Sequence, residues 1–218
     1  MYNDTIHNIL VLLNSIAKIE NTTSEQQLFH KRGHALSSIR RIINSVNKNQ
    51  VASKTWLAEE LWNICPIENP SVCIAAGWYG LMAHLIREKT DNDIVSFDID
   101  DQCKKIGRQI FSESNIDFRT KDMQEFNPQT LKKFDIIICT SCEHITDLML
   151  WKFLENRKKN CLVALQSNNF DSPNQDDGHI NIKQSLKQFE NDVGLQKILY
   201  SETRPMHPDW ERYLVIGI

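Results

Sequence analysis

After Pro66 the chain alternates short apolar runs with stretches of helical periodicity, and this alternation limits its fold more than any other feature. The runs 72–75, 94–97, 116–119, 134–139, 161–165, 195–200 and 212–218 read as strands. Helices are predicted over 81–87, 103–112, 148–154 and 182–192. Strands joined through helices lie parallel, because a tight turn cannot return the chain to the same end of a neighbour. The last two strands are the exception. About a dozen residues separate them, Pro205 and Pro208 included. No helix fits there, so the pair is expected to form an antiparallel hairpin at the sheet edge. The expected class is α/β, a seven-stranded and mostly parallel sheet whose last strand is antiparallel.

The first third reads differently. Ile6, Ile9, Leu10, Leu13, Ile16 and Ala17 recur at helical spacing. Thr22 with Glu25, or Thr23 with Gln26, offers the start of a second helix reaching about residue 48. A third helix is expected over 53–63. This divides the chain into an N-terminal helical cap, 1–67, and an α/β domain, 68–218. With 41% apolar residues the 218-residue chain can build a full core. Its net charge of −3 speaks against a non-specific nucleic-acid binder. No run approaches the ~18 apolar residues that span a bilayer. The six cysteines follow no regular framework and read as reduced thiols, which implies a cytoplasmic protein with no membrane partner.

The most informative segment is Ser71-Val-Cys-Ile-Ala-Ala-Gly-Trp-Tyr-Gly80, followed by Ile94-Val-Ser-Phe-Asp-Ile-Asp100. A strand ending in a glycine turn that opens a helix lets backbone approach a ligand closely. The next strand ends in Asp98, whose carboxylate can accept hydrogen bonds from both hydroxyls of a ribose. Parallel sheets bind ligands at the carboxyl ends of their strands, where all these residues fall. In these motifs the chain, from 69 to 218, resembles the class I S-adenosylmethionine-dependent methyltransferases, whose fold is Rossmann-like. The resemblance implies S-adenosylmethionine as cofactor and S-adenosylhomocysteine as product. It places Ala76, Gly77, Tyr79 and Gly80 in the loop passing the methionine part. Asp98 and Ile99 fall at the ribose position, Asp122 and Met123 at the adenine amine, and Thr140 at the exit of the fourth strand. The chain departs from the family where Cys73 stands near a usual acidic residue and where Ala75 or Ala76 replaces the first glycine. Ala75-x-Gly77-x-x-Gly80 also fits a degenerate dinucleotide loop, so an NAD(P)-dependent oxidoreductase is the rival reading, with a non-catalytic binding protein as a third. A side chain at Gly80 is expected to fill the space needed by the ligand.

The substrate side is read from two polar segments. Thr140-Ser-Cys-Glu-His144 follows the fourth strand, and Glu143 or His144 can take a proton from a nucleophile. Gln166-Ser-Asn-Asn-Phe170 follows the fifth, and Asn168 offers an amide that donates and accepts. His144, Glu143 and Asn168 are therefore the catalytic candidates. The connection 204–210 is expected to complete the pocket mouth, with Arg204 and His207 as phosphate contacts, and 171–181 to act as a lid. Cys139-x-x-Cys142-x-His144 has the look of metal-ligand spacing without a second pair, and no metal is expected. The groups suit a small polar substrate, with RNA or a nucleotide as the alternative. Nothing in the sequence specifies the oligomeric state.

Overall fold

The computed structural model describes residues 41–171 and 178–218. Two compact units divide at Gln50, Met1–Gln50 and Val51–Ile218. The helices expected over the first forty residues lie outside the described residues. Among the described residues no helix is long and apolar enough to cross a membrane.

The elements in chain order are α1 (Lys48–Ile64), β1 (Val72–Ala75), α2 (Leu81–Arg87), β2 (Ile94–Asp98), α3 (Asp101–Ile110), β3 (Asp117–Thr120), α4 (Pro128–Leu131), β4 (Ile136–Cys139), α5 (Asp147–Leu154), β5 (Leu162–Asn168), α6 (Leu186–Asp192), β6 (Ile198–His207) and β7 (Trp210–Gly217). One seven-stranded sheet runs β3-β2-β1-β4-β5-β7-β6. Every pairing from β3 to β5 is parallel, and β7 lies antiparallel between β5 and β6. The strand order reverses between β1 and β4, the place where open α/β sheets hold ligands.

Local chemistry starts the helices. Asp100 accepts from the Gln102 amide ahead of α3, Thr146 from Met149 ahead of α5, and Asn127 from Gln129 ahead of α4, whose first residue is Pro128. β1 and β4 are buried at every position, so their unbroken apolar runs are those of central parallel strands. The rings of Phe97, Phe126 and Phe153 pack at centroid distances of 4.8, 5.7 and 5.6 Å. That cluster pins the turn containing Asp122 and Met123 beside the end of β2.

Two strands are longer than their apolar runs. β5 continues through Gln166, Ser167 and Asn168, which pair with Leu214, Tyr213 and Arg212 of β7. These polar residues are buried strand, not the loop that their composition implied. β6 and β7 are joined by a tight turn at Pro208 and Asp209, and Pro205 lies inside β6. β6 is the edge strand, so Pro205 forfeits no ladder bond on its outer side, and the register shifts beside it. The connection expected over 204–210 is thus mostly hairpin. α6 begins at Leu186 rather than at 182, because 178–183 runs non-helically and bonds to other loops.

Candidate functional site

Register places the site residues along one edge. Ala75 stands opposite Phe97 and Cys139, and Cys139 opposite Leu165. The residues that follow, Ala76 to Gly80, Asp98, Thr140 to His144 and Gln166 to Asn168, therefore leave or end their strands at the same carboxyl edge. Neighbouring strands are about 4.8 Å apart. β7 runs the other way, so its first residues, including Arg212 opposite Asn168, join this edge.

The turn after β1 is held by protein contacts. The Gly77 amide donates to the Phe97 carbonyl at 2.9 Å, and the Gly80 amide to the Gly77 carbonyl at 3.1 Å. Ala76 and Trp78 both take φ near +49°, a left-handed geometry that a non-glycine residue adopts at some cost. A Cβ on Gly77 would meet Ser96 Oγ at 2.2 Å, and one on Gly80 would meet the Phe118 ring at 2.5 Å. Both glycines are thus required by packing inward onto β2 and β3, and Gly80, at φ +94°, also by its backbone. This corrects the expectation for Gly80: a valine there strikes the core, so the first effect of Gly80→Val is on folding. Tyr79 is buried with its ring stacked 5.5 Å from that of Trp78.

Asp98 is the half-buried carboxylate beside this turn. Its Oδ2 accepts from the Trp78 amide at 3.0 Å and its Oδ1 from the Asp100 amide at 3.1 Å. Each oxygen keeps a further lone pair for a ligand hydroxyl. Ile99 next to it is 70% exposed, an apolar side chain left uncovered at the rim. Asp122 caps the following turn through the Gln124 amide, and Met123 packs into the core.

The substrate half is built around Glu143. Its Oε1 accepts from Arg212 Nη1 at 2.9 Å, and both side chains are 5% exposed. Burial alone would push the Glu143 carboxyl up, but the Arg212 guanidinium, with His144 beside it, holds it below the usual carboxylate value. Lys54 of α1 is buried nearby. Desolvation and the Arg212 charge push its amine down to about 7 against the pull of Glu143. Gln166 Nε2 donates to the Ser53 carbonyl at 2.9 Å, joining α1 to β5. Four buried polar atoms here have no partner among the described residues: Glu143 Oε2, Arg212 Nε, Gln166 Oε1 and Ser167 Oγ. Thr140 is buried at the head of the loop.

A strap over 178–183 ties this loop to the end of β5. The amides of Ile180 and Asn181 donate to the Glu143 carbonyl at 2.9 and 3.0 Å, and the Lys183 amide to that of Asn168 at 3.1 Å. Buried Lys183 bridges Asp147 and Asp192, each at 2.8 Å. The strap brings His179 to His144, rings 4.7 Å apart and edge-on. Most of the lid expected over 171–181 lies outside the described residues, but its last residues are this strap.

The structure thus brings Glu143, His144 and Asn168 to one edge. His144 is exposed and Glu143 buried. Asn168 is buried, and its Oδ1 accepts from the Phe170 amide at 2.9 Å, so it shapes the strand exit. Arg204 is not a free phosphate contact: it pairs with Glu60 at 3.3 Å and Glu202 at 3.1 Å and lies over the Trp56 ring. Cys139 and Cys142 are buried, and Cys142 donates to the Cys139 carbonyl, so the Cys-x-x-Cys spacing serves the core. All six cysteines are free thiols. Sequence reasoning missed Arg212 and Lys54. The signal for Arg212 was a lone cation heading an apolar strand, and for Lys54 a cation on the buried face of a helix.

No family model matches the chain, and no curated protein matches it. Solved structures do. PH0226 protein from Pyrococcus horikoshii OT3 superposes with a TM-score of 0.60 at 16% identity, covering 78% of this chain and 91% of that one. Magnesium protoporphyrin IX methyltransferase from Synechocystis PCC 6803 with bound SAM gives 0.58 at 13%, covering 78% and 80%. N-methyltransferase NodS from Bradyrhizobium japonicum WM9 gives 0.61 at 12%, covering 79% and 97%. With this strand order and reversed β7, the chain carries the Rossmann-like fold of the class I S-adenosylmethionine-dependent methyltransferases.

Proposed function

We propose that the protein is an S-adenosylmethionine-dependent methyltransferase acting on a small polar substrate. The carrying observation is Asp98: a carboxylate aimed by two backbone amides, beside the β1 turn and one strand from the point where strand order reverses. The residues present fit the cofactor. Asp98 has lone pairs left for a ribose, and exposed Ile99 offers an apolar surface to a planar base. Ala76, Gly77, Tyr79 and Gly80 would border the methionine part, Asp122 and Met123 the adenine, and Thr140 the approach to the methyl. Cys73 and Ala75, where the chain departs from the family, are fully buried strand residues. The reversed β7 favours this reading over a nicotinamide-dependent oxidoreductase.

The cofactor supplies an already activated methyl, so the protein's part is to position the acceptor and manage its proton. Glu143 is held ionised by Arg212 with one oxygen bare, and it can accept a hydrogen bond from the attacking group. His144, exposed at the rim, can relay a proton to water. Asn168 positions the strand exit. The test is S-adenosylhomocysteine release across a panel of small hydroxyl, amine and nucleotide acceptors. An acceptor that supports turnover should lose at least about tenfold in rate with His144→Ala, a typical share for a proton-transfer group, while cofactor affinity stays within a few-fold. Turnover unchanged in that variant would remove His144 from the mechanism.

A further inference from the structure

We infer that Glu143, His144 and His179 form a binding site for a divalent first-row transition-metal ion. One ring nitrogen of each histidine and one carboxylate oxygen of Glu143 all lie within 4.8 Å of one another. Around one ion at about 2.0–2.2 Å, ligand atoms stand roughly 3 to 3.5 Å apart, so side-chain closure of about an ångström completes the set.

Three features of the surroundings point to an ion. First, His144 Nδ1 lies 2.9 Å from the Gly178 carbonyl and His179 Nδ1 lies 3.0 Å from the Phe170 carbonyl. A carbonyl only accepts, so Nδ1 donates in both rings, and the lone pair that either imidazole can offer an ion is the one on Nε2. Metal-binding histidines are oriented in this way, by donating the other ring N–H to a fixed acceptor. Second, Glu143 is buried with Arg212 on Oε1, and Oε2 has no partner among the described residues. A ligating carboxylate is likewise held by a hydrogen bond on its outer side. Third, the strap puts the third ligand in place: the Ile180 and Asn181 amides bond to the Glu143 carbonyl itself. His144 and His179, 35 positions apart, are thereby fixed as neighbours.

Two imidazoles and one carboxylate suit zinc, iron or manganese in their divalent states better than magnesium, which prefers oxygen. Three protein ligands leave positions open for water or a substrate heteroatom. The site lies at the strand-exit loops of β4 and β5, so the ion would stand on the substrate side. The inference rests on these residues alone and not on the methyl-transfer reading; an ion here would take the Glu143 and His144 lone pairs, so ligation and the proton-handling roles given them above are alternatives.

The test is calorimetric titration of the chelator-treated full chain with zinc chloride, and separately with magnesium chloride, with no S-adenosylmethionine present. One equivalent of zinc should bind and magnesium should not. His179→Ala and His144→Ala should each weaken zinc binding at least about tenfold with the circular dichroism spectrum unchanged. No zinc binding by the parent protein would overturn the inference. So would zinc binding that both variants retain, which would trace to the cysteines or the surface. Cofactor binding, measured separately, is untouched by either result.

Discussion

The two edges of the sheet carry polar clusters that are built differently, partly buried at one edge and buried at the other. At the amino edge, Asp135 accepts from the Ser71 amide and hydroxyl, each at 2.8 Å, and pairs with Lys158. The Lys133 carbonyl, 3.1 Å from Ser71 Oγ, is the alternative acceptor for that one hydroxyl proton. The cluster closes on itself and fastens the starts of β1 and β4. At the carboxyl edge, Glu143, Arg212, Gln166 and Ser167 each keep a buried atom with no partner among the described residues. A buried polar group costs about 1–3 kcal/mol when left unsatisfied, so these four atoms call for partners from outside the described residues, water or a ligand.

The largest effect should come from breaking the open edge. Arg212→Met leaves the Glu143 carboxylate buried without its partner, and loss of one member of a buried pair costs about 3–5 kcal/mol. Urea denaturation of this variant against the parent reads that loss. Adding Glu143→Gln to it should recover part of the stability while leaving turnover abolished. If the single variant is as stable as the parent, the pair is wet and the contrast between the edges fails.

A smaller effect belongs to the closed edge. Asp135→Asn should cost about 1.5–3 kcal/mol, the scale of hydrogen bonds to a charged group, and leave cofactor affinity unchanged. Burial pushes the Asp135 carboxyl up, but Lys158 and Ser71 more than offset this and hold it below its usual 3.8. A depressed carboxyl stabilises the fold above its unfolded value, and that contribution is lost as pH falls through the folded one. The stability gap between parent and variant should therefore be full near neutrality and shrink below about pH 4. A gap that does not depend on pH would mean that the ionised form of Asp135 is not what matters.

The central strands were legible in the sequence because they follow hydrophobic periodicity. Val72–Ala75 and Ile136–Cys139 are apolar at every position, and burial at every position is what the structure shows. The open edge was less legible for the same reason. Gln166, Ser167 and Asn168 look like loop residues, yet pairing with β7 makes them strand. Pro205 reads as a break, yet an edge strand tolerates it. Arg212 reads as a strand flank until it meets Glu143, 69 positions away. Partners that far apart leave no local trace. His179 likewise carries no spacing signal toward His144, because a strap of backbone hydrogen bonds sets their approach. The glycines showed where the turn lies but not which way it is crowded, since that depends on Ser96 and Phe118 from other strands.

The central claim is that the carboxyl edge binds S-adenosylmethionine through Asp98, and calorimetric titration of the full chain tests it most directly. The parent should bind S-adenosylmethionine and give no heat with NAD. Asp98→Ala should bind S-adenosylmethionine about tenfold to a hundredfold more weakly, corresponding to roughly 1.5–3 kcal/mol for hydrogen bonds to a charged acceptor. Asp98→Asn, whose single amide oxygen can still accept from the Trp78 amide but not also from that of Asp100, serves as a partial control for the turn. Equal affinity in the parent and Asp98→Ala, or binding of NAD in place of S-adenosylmethionine, would contradict the account.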